Sequence, residues 1–153
     1  VLLRRGAKGV IAMDVGYGQL ALKLRDDSRV TVLDRMNIRL ATPADLPFVP
    51  QLVTIDTSFI SLRLVIPAVL ALVAPRAEII ALIKPQFEVG KGKVGKGGVV
   101  KDQKLRREAV AAIVEFAQSI GLEVVGTVES PIEGAAGNRE YLALMKFPGK
   151  SGK

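Results

Sequence analysis

Residues 79–88 read IIALIKPQFE, five aliphatic residues in succession that stop abruptly at Lys84 and Pro85. A short apolar run with this kind of stop is how a strand buried on both faces hands a charged side chain to the edge of a sheet. The stretch therefore predicts a central parallel strand with Lys84 at its carboxyl end, followed by a short polar loop. In open α/β sheets ligands sit outside the carboxyl ends of the strands, so a lysine in that place is a candidate for chemistry as well as for solubility.

Outward from this strand the pattern alternates. Residues 9–14 (GVIAMD), 30–33 and 51–56 (QLVTID) read as strands, each closed by an acid: Asp14, Asp34 and Asp56. Helices are expected over 19–25 and 62–73, and over 105–120, where apolar residues at 105, 109, 110, 113, 116 and 117 form one face before Gly121. Residues 1–7 read as the last turn of a helix closing at Gly6, and 41–50 as a proline-rich loop holding one helical turn capped by Thr42. Residues 122–128 and 140–147 are strands joined only by the loop 130–137, which predicts an antiparallel final pair in an otherwise α/β chain.

Composition narrows the chemistry. The 153 residues fit one domain and include no cysteine and no histidine, which removes disulfides, thiolate nucleophiles, zinc clusters and imidazole catalysis. A metal site is not expected, and any acid or base must be Asp, Glu, Lys or Tyr. The net charge of +7 favours a polyanionic partner. It is concentrated between Lys84 and Arg107, where eight basic residues face two acids, Glu88 and Asp102. Lys91, Lys93, Lys96 and Lys101 are the candidates for contacting the phosphates of a polyanion, against the plainer reading of a solvated basic loop. No signal peptide is expected, and the longest apolar stretch, residues 64–74, is 11 residues long and contains Pro67, well short of the roughly 20 needed to span a bilayer. The expectation is a soluble, cytoplasmic protein.

The segment from Asp14 to Gly18 admits two readings. Strand, acid, GxG, helix and a second acid, Asp34, 20 residues on come close to a dinucleotide-binding fingerprint, with Ala21 at the third glycine. The other reading is a glycine-containing turn with no phosphate.

The segments MDVGYGQLALKLR, VTIDTSFISL, ALIKPQFEVGKGKVGKGGVV and SPIEGAAGNREYLALM together resemble the methyltransferase domain of the TlyA family, bacterial ribosomal RNA ribose 2′-O-methyltransferases also named hemolysins. The resemblance covers about residues 2–147. It implies a Rossmann-like, FtsJ-like class I fold, mostly parallel with an antiparallel last strand, that binds S-adenosylmethionine and acts on ribosomal RNA in the cytoplasm. On this basis 1–147 form the methyltransferase domain and 148–153 a disordered tail. The family's S4-type RNA-binding domain, the first lysine of its catalytic set and a first strand with a glycine-rich loop would all precede residue 1. Asp14 is then the acid that meets the cofactor ribose, with Asp34, Arg35 and Asn37 near the adenine. Three members of the Lys-Asp-Lys-Glu set carry over as Asp56, Lys84 and Glu140. Alone, each would read as a surface ion pair; their joint match favours catalysis.

Two functions remain open at this point: a ribose methyltransferase, or a catalytically incompetent RNA-binding fragment; Val1 fits a fragment and a non-standard start codon equally well. Hemolysin-type membrane activity is a third, resting on the family's second name alone. In the family's strand order, 3-2-1-4-5-7-6, the strand expected to be lacking is the central one, between residues 9–14 and 51–56. A chain without it is expected to be poorly stable and to bind S-adenosylmethionine weakly.

Overall fold

The computed structural model describes residues 1–90 and 92–149; Lys91 and residues 150–153, with most of the expected tail, lie outside the described residues. The chain divides into two compact units, Val1–Val49 and Pro50–Lys153.

The first unit opens with a single 3-10 turn, Leu3–Arg5, closed by Gly6 at φ 90°. Strand β1 (Val10–Asp14) leads through the glycine turn to helix α1 (Leu22–Arg25) and strand β2 (Val30–Asp34). The helix expected from residue 19 begins three residues later, because Gly18 is left-handed at φ 69° and Ala21 is still extended. β1 and β2 pair in parallel, in a register that sets Asp14 beside Asp34 at their carboxyl ends. The predicted turn at Thr42 is a 3-10 helix, Pro43–Asp45, in which the Asp45 carboxylate accepts from the Thr42 N–H at 2.7 Å and from its hydroxyl at 2.8 Å.

The second unit begins with strand β3 (Leu52–Ile55) and helix α2 (Leu62–Leu70), followed by strand β4 (Glu78–Ile83). A one-turn helix α3 (Pro85–Glu88) stands where a polar loop is expected. Pro85 is at its first position, where its fixed φ suits a helix and its missing N–H costs nothing. Helix α4 (Gln103–Ser119) starts two residues before its apolar stripe, since the Asp102 side chain caps it by accepting from the Lys104 N–H at 2.7 Å. Strands β5 (Glu123–Glu129) and β6 (Tyr141–Lys146) complete the unit, with a short 3-10 turn, Ala135–Gly137, in the loop between them.

The sheet order is β3-β4-β6-β5: β3 and β4 are parallel, and β6 runs antiparallel to both β4 and β5. The antiparallel last strand is thus observed, and β1 and β3 are each an end strand of their own sheet. Ile79, Ala81 and Ile83 of β4 are fully buried, while Ile80 and Leu82 on the opposite face are half-buried, so the expected burial on both faces holds completely for one. The apolar face of α4, Ala109, Ile113 and Ala117, and that of α2, Leu62, Val65, Ile66 and Val69, supply most of the remaining core together with Met145 of β6. No helix among the described residues is long and apolar enough to cross a membrane.

Candidate active site

The five residues KPQFE leave β4 and immediately turn into α3, so that Lys84, Gln86 and Glu88 point to three different partners. Lys84 Nζ lies 2.7 Å from Asp56 Oδ1, just beyond the end of β3, and donates to Ser58 Oγ at 3.0 Å. The lysine side chain is 13% exposed and the aspartate 71%. A pair with one partner in water contributes at most about 1 kcal/mol to folding, so stability alone does not account for a lysine stem buried at a strand end. Gln86 Nε2 donates to Glu140 Oε1 at 2.9 Å. Glu88 accepts from Ser61 Oγ at 2.6 Å and from the Leu62 N–H at 2.8 Å, closing the amino end of α2.

Glu140 stands one residue before β6, in the register position opposite Lys84, because Ile83 pairs with Tyr141 in the antiparallel ladder. It is only 6% exposed. Its carboxylate accepts from Gln86, whereas the lysine is held by Asp56 and Ser58. The three expected residues, Asp56, Lys84 and Glu140, therefore gather at one edge of the larger sheet, with Gln86 as an addition that the sequence reading missed. Gly134 closes the site from the other side, since a Cβ placed on it would fall within the Glu140 carboxylate.

Two further features escaped the sequence. Phe59 has a left-handed backbone, φ 62°, and is 90% exposed, with its ring tilted against Phe87 at 5.0 Å. A bulky residue in that conformation is unusual, and it stands in the same short loop as Asp56 and Ser58. Asn138, 4% exposed, receives the Val100 N–H on Oδ1 at 3.1 Å and donates through Nδ2 to the Gly98 and Ala135 carbonyls, each at 3.0 Å. It joins the end of the glycine- and lysine-rich loop to the turn before β6. In that loop Lys93, Lys96 and Lys101 are exposed; Lys93, Lys96 and Lys101 also border a hollow of about 310 Å³ beside the start of α4. Lys91 lies outside the described residues.

In the first unit, Asp14 and Asp34 end adjacent strands, and the turns that follow are laced together: the Arg35 N–H donates to the Gly16 carbonyl at 2.9 Å and the Met36 N–H to the Asp14 carbonyl at 3.0 Å. Asp14 Oδ1 accepts from the Gly16 N–H at 2.6 Å, and Asp34 Oδ2 from the Gly18 N–H at 3.3 Å and from Arg25 Nη1 at 2.8 Å. Arg25, first among the causes, and Gly18 hold the Asp34 carboxyl below its usual range. Both glycine amides of the GxG turn thus already face carboxylates, which opposes the pyrophosphate cradle of the fingerprint reading. Arg35 lies over the Tyr17 ring at 4.6 Å from its centroid, and the Asn37 side chain accepts from the Arg39 N–H at 3.0 Å.

The profile of the FtsJ-like methyltransferases matches residues 1–147. The chain belongs to the FtsJ-like methyltransferase family. Over 146 residues it is 51% identical to the 16S/23S rRNA (cytidine-2′-O)-methyltransferase TlyA of Mycobacterium tuberculosis, covering 95% of this chain and 54% of that protein. It is 38% identical to Hemolysin A of Brachyspira hyodysenteriae over 93% of this chain and 60% of that one. A hemolysin-named protein from Lactococcus lactis, 42% identical, superposes with a TM-score of 0.92 over 95% of this chain and 70% of that one. The chain spans about half the length of the TlyA protein it matches. The resemblance drawn from the four sequence segments is thus borne out, and so is the α/β methyltransferase-like fold with its mixed sheet.

Burial raises the Glu88 carboxyl above its ordinary value of 4.5, against the opposing effect of Ser61 and Leu62. A carboxyl whose folded pKa is raised favours the fold most when protonated, below 4.5, and that contribution is lost as pH rises through the folded value. The lowered aspartates act in the other direction: Asp27, held at about 2 by Arg29, and Asp34 contribute above 3.8 and lose that contribution as pH falls. Glu88→Gln retains an acceptor for the Leu62 N–H without the ionisation. Its stability relative to the parent is therefore expected to rise between pH 4.5 and neutrality, as read by urea denaturation at several pH values; a difference independent of pH would show that Glu88 is not strained by its burial.

Proposed function

We propose that this chain is the catalytic part of an S-adenosylmethionine-dependent ribosomal RNA ribose 2′-O-methyltransferase acting in the cytoplasm. The observation that carries the reading is the 2.7 Å pair of Lys84 with Asp56 at the carboxyl edge of the sheet, with Glu140 in the adjacent register position, in a chain of this family. TlyA of Mycobacterium tuberculosis, named for cytidine-2′-O-methylation of ribosomal RNA, supports the substrate class.

The residues present suit the cofactor. Asp14 and Asp34 offer carboxylates at neighbouring strand ends, acceptors to which vicinal ribose hydroxyls can donate, and Arg35 and Asn37 follow directly. When bound, S-adenosylmethionine supplies an electrophilic methyl group on a sulfonium. A ribose 2′-hydroxyl is a weak nucleophile, so the protein must align it and ease the departure of its proton. Lys84 Nζ, oriented by Asp56 and Ser58, can donate a hydrogen bond to that oxygen and stabilise it as its proton leaves to the exposed Asp56 carboxylate or to water. Glu140, fixed by Gln86, adds a negative charge at the same edge that favours positive charge developing nearby. The outward face of Phe59 is suited to stacking on an unpaired base, the common means by which single-stranded RNA is held.

Methyl transfer from labelled S-adenosylmethionine to ribosomal subunits by the full-length protein tests the reading directly. Absence of transfer with RNA binding retained would favour the incompetent RNA-binding alternative. The basic loop has its own test: replacing Lys93 and Lys96 with glutamine removes two phosphate contacts, so the slope of log affinity against log salt is expected to shrink by about 1.4 to 1.8. An unchanged slope would return the loop to a solvated surface.

A further inference from the structure

Asn138 lies between two parts of the larger unit to which the reading above gives separate tasks, the basic loop for RNA and the turn before β6 for Glu140. Its side chain bonds Gly98 and Val100 on the loop side, and Ala135 on the turn side. The backbone reinforces the turn: the Gly134 N–H donates to the Asn138 carbonyl at 2.8 Å, and the Asn138 N–H to the Ala135 carbonyl at 3.2 Å. Gly134 in turn abuts the Glu140 carboxylate, and Arg139, between Asn138 and Glu140, is anchored outward by Glu129 at 2.9 Å and Glu133 at 3.4 Å. A continuous series of contacts therefore runs from Gly98, two residues after Lys96, to the carboxylate.

An amide this buried cannot exchange its partners for water, so when the loop moves either the turn moves with it or the two hydrogen bonds to Gly98 and Val100 break together. Loop segments rich in glycine open at little cost, whereas a turn held by buried bonds does not. The Gly98 carbonyl and the Val100 N–H that Asn138 takes from the loop lie just before Lys101 and Asp102, the cap of α4, where the loop stops being free. Order imposed on the loop by a polyanion would reach the turn through this one side chain.

We propose that Asn138 is a positioning residue that couples the seating of RNA on Lys93, Lys96 and Lys101 to the placement of the Glu140 carboxylate. This rests on the RNA methyltransferase reading. It makes the arrangement of the candidate site responsive to substrate: Glu140 is held most firmly when the loop is engaged.

The test is amide hydrogen exchange on this chain with and without a short single-stranded oligoribonucleotide, on the parent and on Asn138→Asp. Aspartate keeps the acceptor for the Val100 N–H but cannot donate to Gly98 or Ala135. In the parent, the oligonucleotide is expected to slow exchange at Val100 and at Gly134 by about tenfold. In Asn138→Asp the slowing is expected to persist across residues 92–100 and to vanish at Gly134. Loop amides that respond in the parent while Gly134 does not would overturn the coupling and leave the RNA reading intact. Persistence of the Gly134 response in Asn138→Asp would overturn it equally. If no amide responds and no salt-dependent binding is found, the RNA reading falls and the coupling with it. Since the parent measurement alone can refute the proposal, it stands or falls even if the variant does not fold.

Discussion

Lys84→Ala, made at the equivalent lysine of a full-length relative, is expected to reduce methyl transfer by about 100- to 10,000-fold, the range typical of losing a positioned acid–base group. Cofactor affinity should stay within about twofold, since the lysine acts on the hydroxyl and makes no use of the Asp14 and Asp34 edge. The fold should lose little: the ion pair with a mostly exposed Asp56 is worth at most about 1 kcal/mol, and the stem leaves only a small void. Calorimetric titration with S-adenosylmethionine, single-turnover methyl transfer and a thermal melt separate the three quantities. A variant that melts well below the parent, or one that transfers methyl groups at the parent rate, would remove Lys84 from the chemistry. Asp56→Asn should show a weaker form of the same pattern, because it orients the lysine without replacing it.

Gly134→Ala provides the second large effect, through a single added methyl group. The backbone at Gly134, φ −77° and ψ −172°, is one that alanine adopts freely, so no strain arises from conformation. What the methyl meets is the tip of the Glu140 side chain, a flexible group that can swing away without moving the sheet. Stability should therefore fall by less than about 1.5 kcal/mol, the cost of a tolerated small overpacking. The hydrogen bond from Gln86 to Glu140, now 2.9 Å, would be lost, and with it the carboxylate's placement. Methyl transfer is expected to drop by about 10- to 1,000-fold, the scale of losing one electrostatic contact in a preorganised site. A crystal structure of the variant with Glu140 unmoved would refute the mechanism, as would full activity.

The architecture was legible wherever the chain carries a local period. The apolar run that ends at Lys84, the stripe of α4 and the acids that close β1, β2 and β3 are all set by residues within a few positions of one another, and each appears where it was expected. What remained hidden depends on partners far apart in sequence. Gln86 meets Glu140 across 54 residues, and Asn138 meets Gly98 across 40. No pattern in KPQFE announces that its polar residues serve three different elements, because that division follows from the helical turn and not from any alternation. The left-handed Phe59 was equally invisible, since the residue usually found in that conformation is glycine or asparagine. The apolar run marked Lys84, and resemblance to a family set Asp56 and Glu140 beside it; only the folded chain supplies the groups that hold them.

The position of β6 carries a consequence for how the protein is made. It is the last of the four strands of its sheet in chain order, yet it lies between β4 and β5. Until residues 141–146 emerge, β4 has one open edge and β5 has no strand partner in its sheet, so the nascent larger unit must wait with unpaired backbone that other chains can join. A chain stopped shortly before Glu140 would keep β3, β4 and β5 but would lose both antiparallel ladders and the Glu140 carboxylate with them. Quality control in the cell would meet such a product as an aggregation-prone intermediate, not as a slightly shortened form of the same fold.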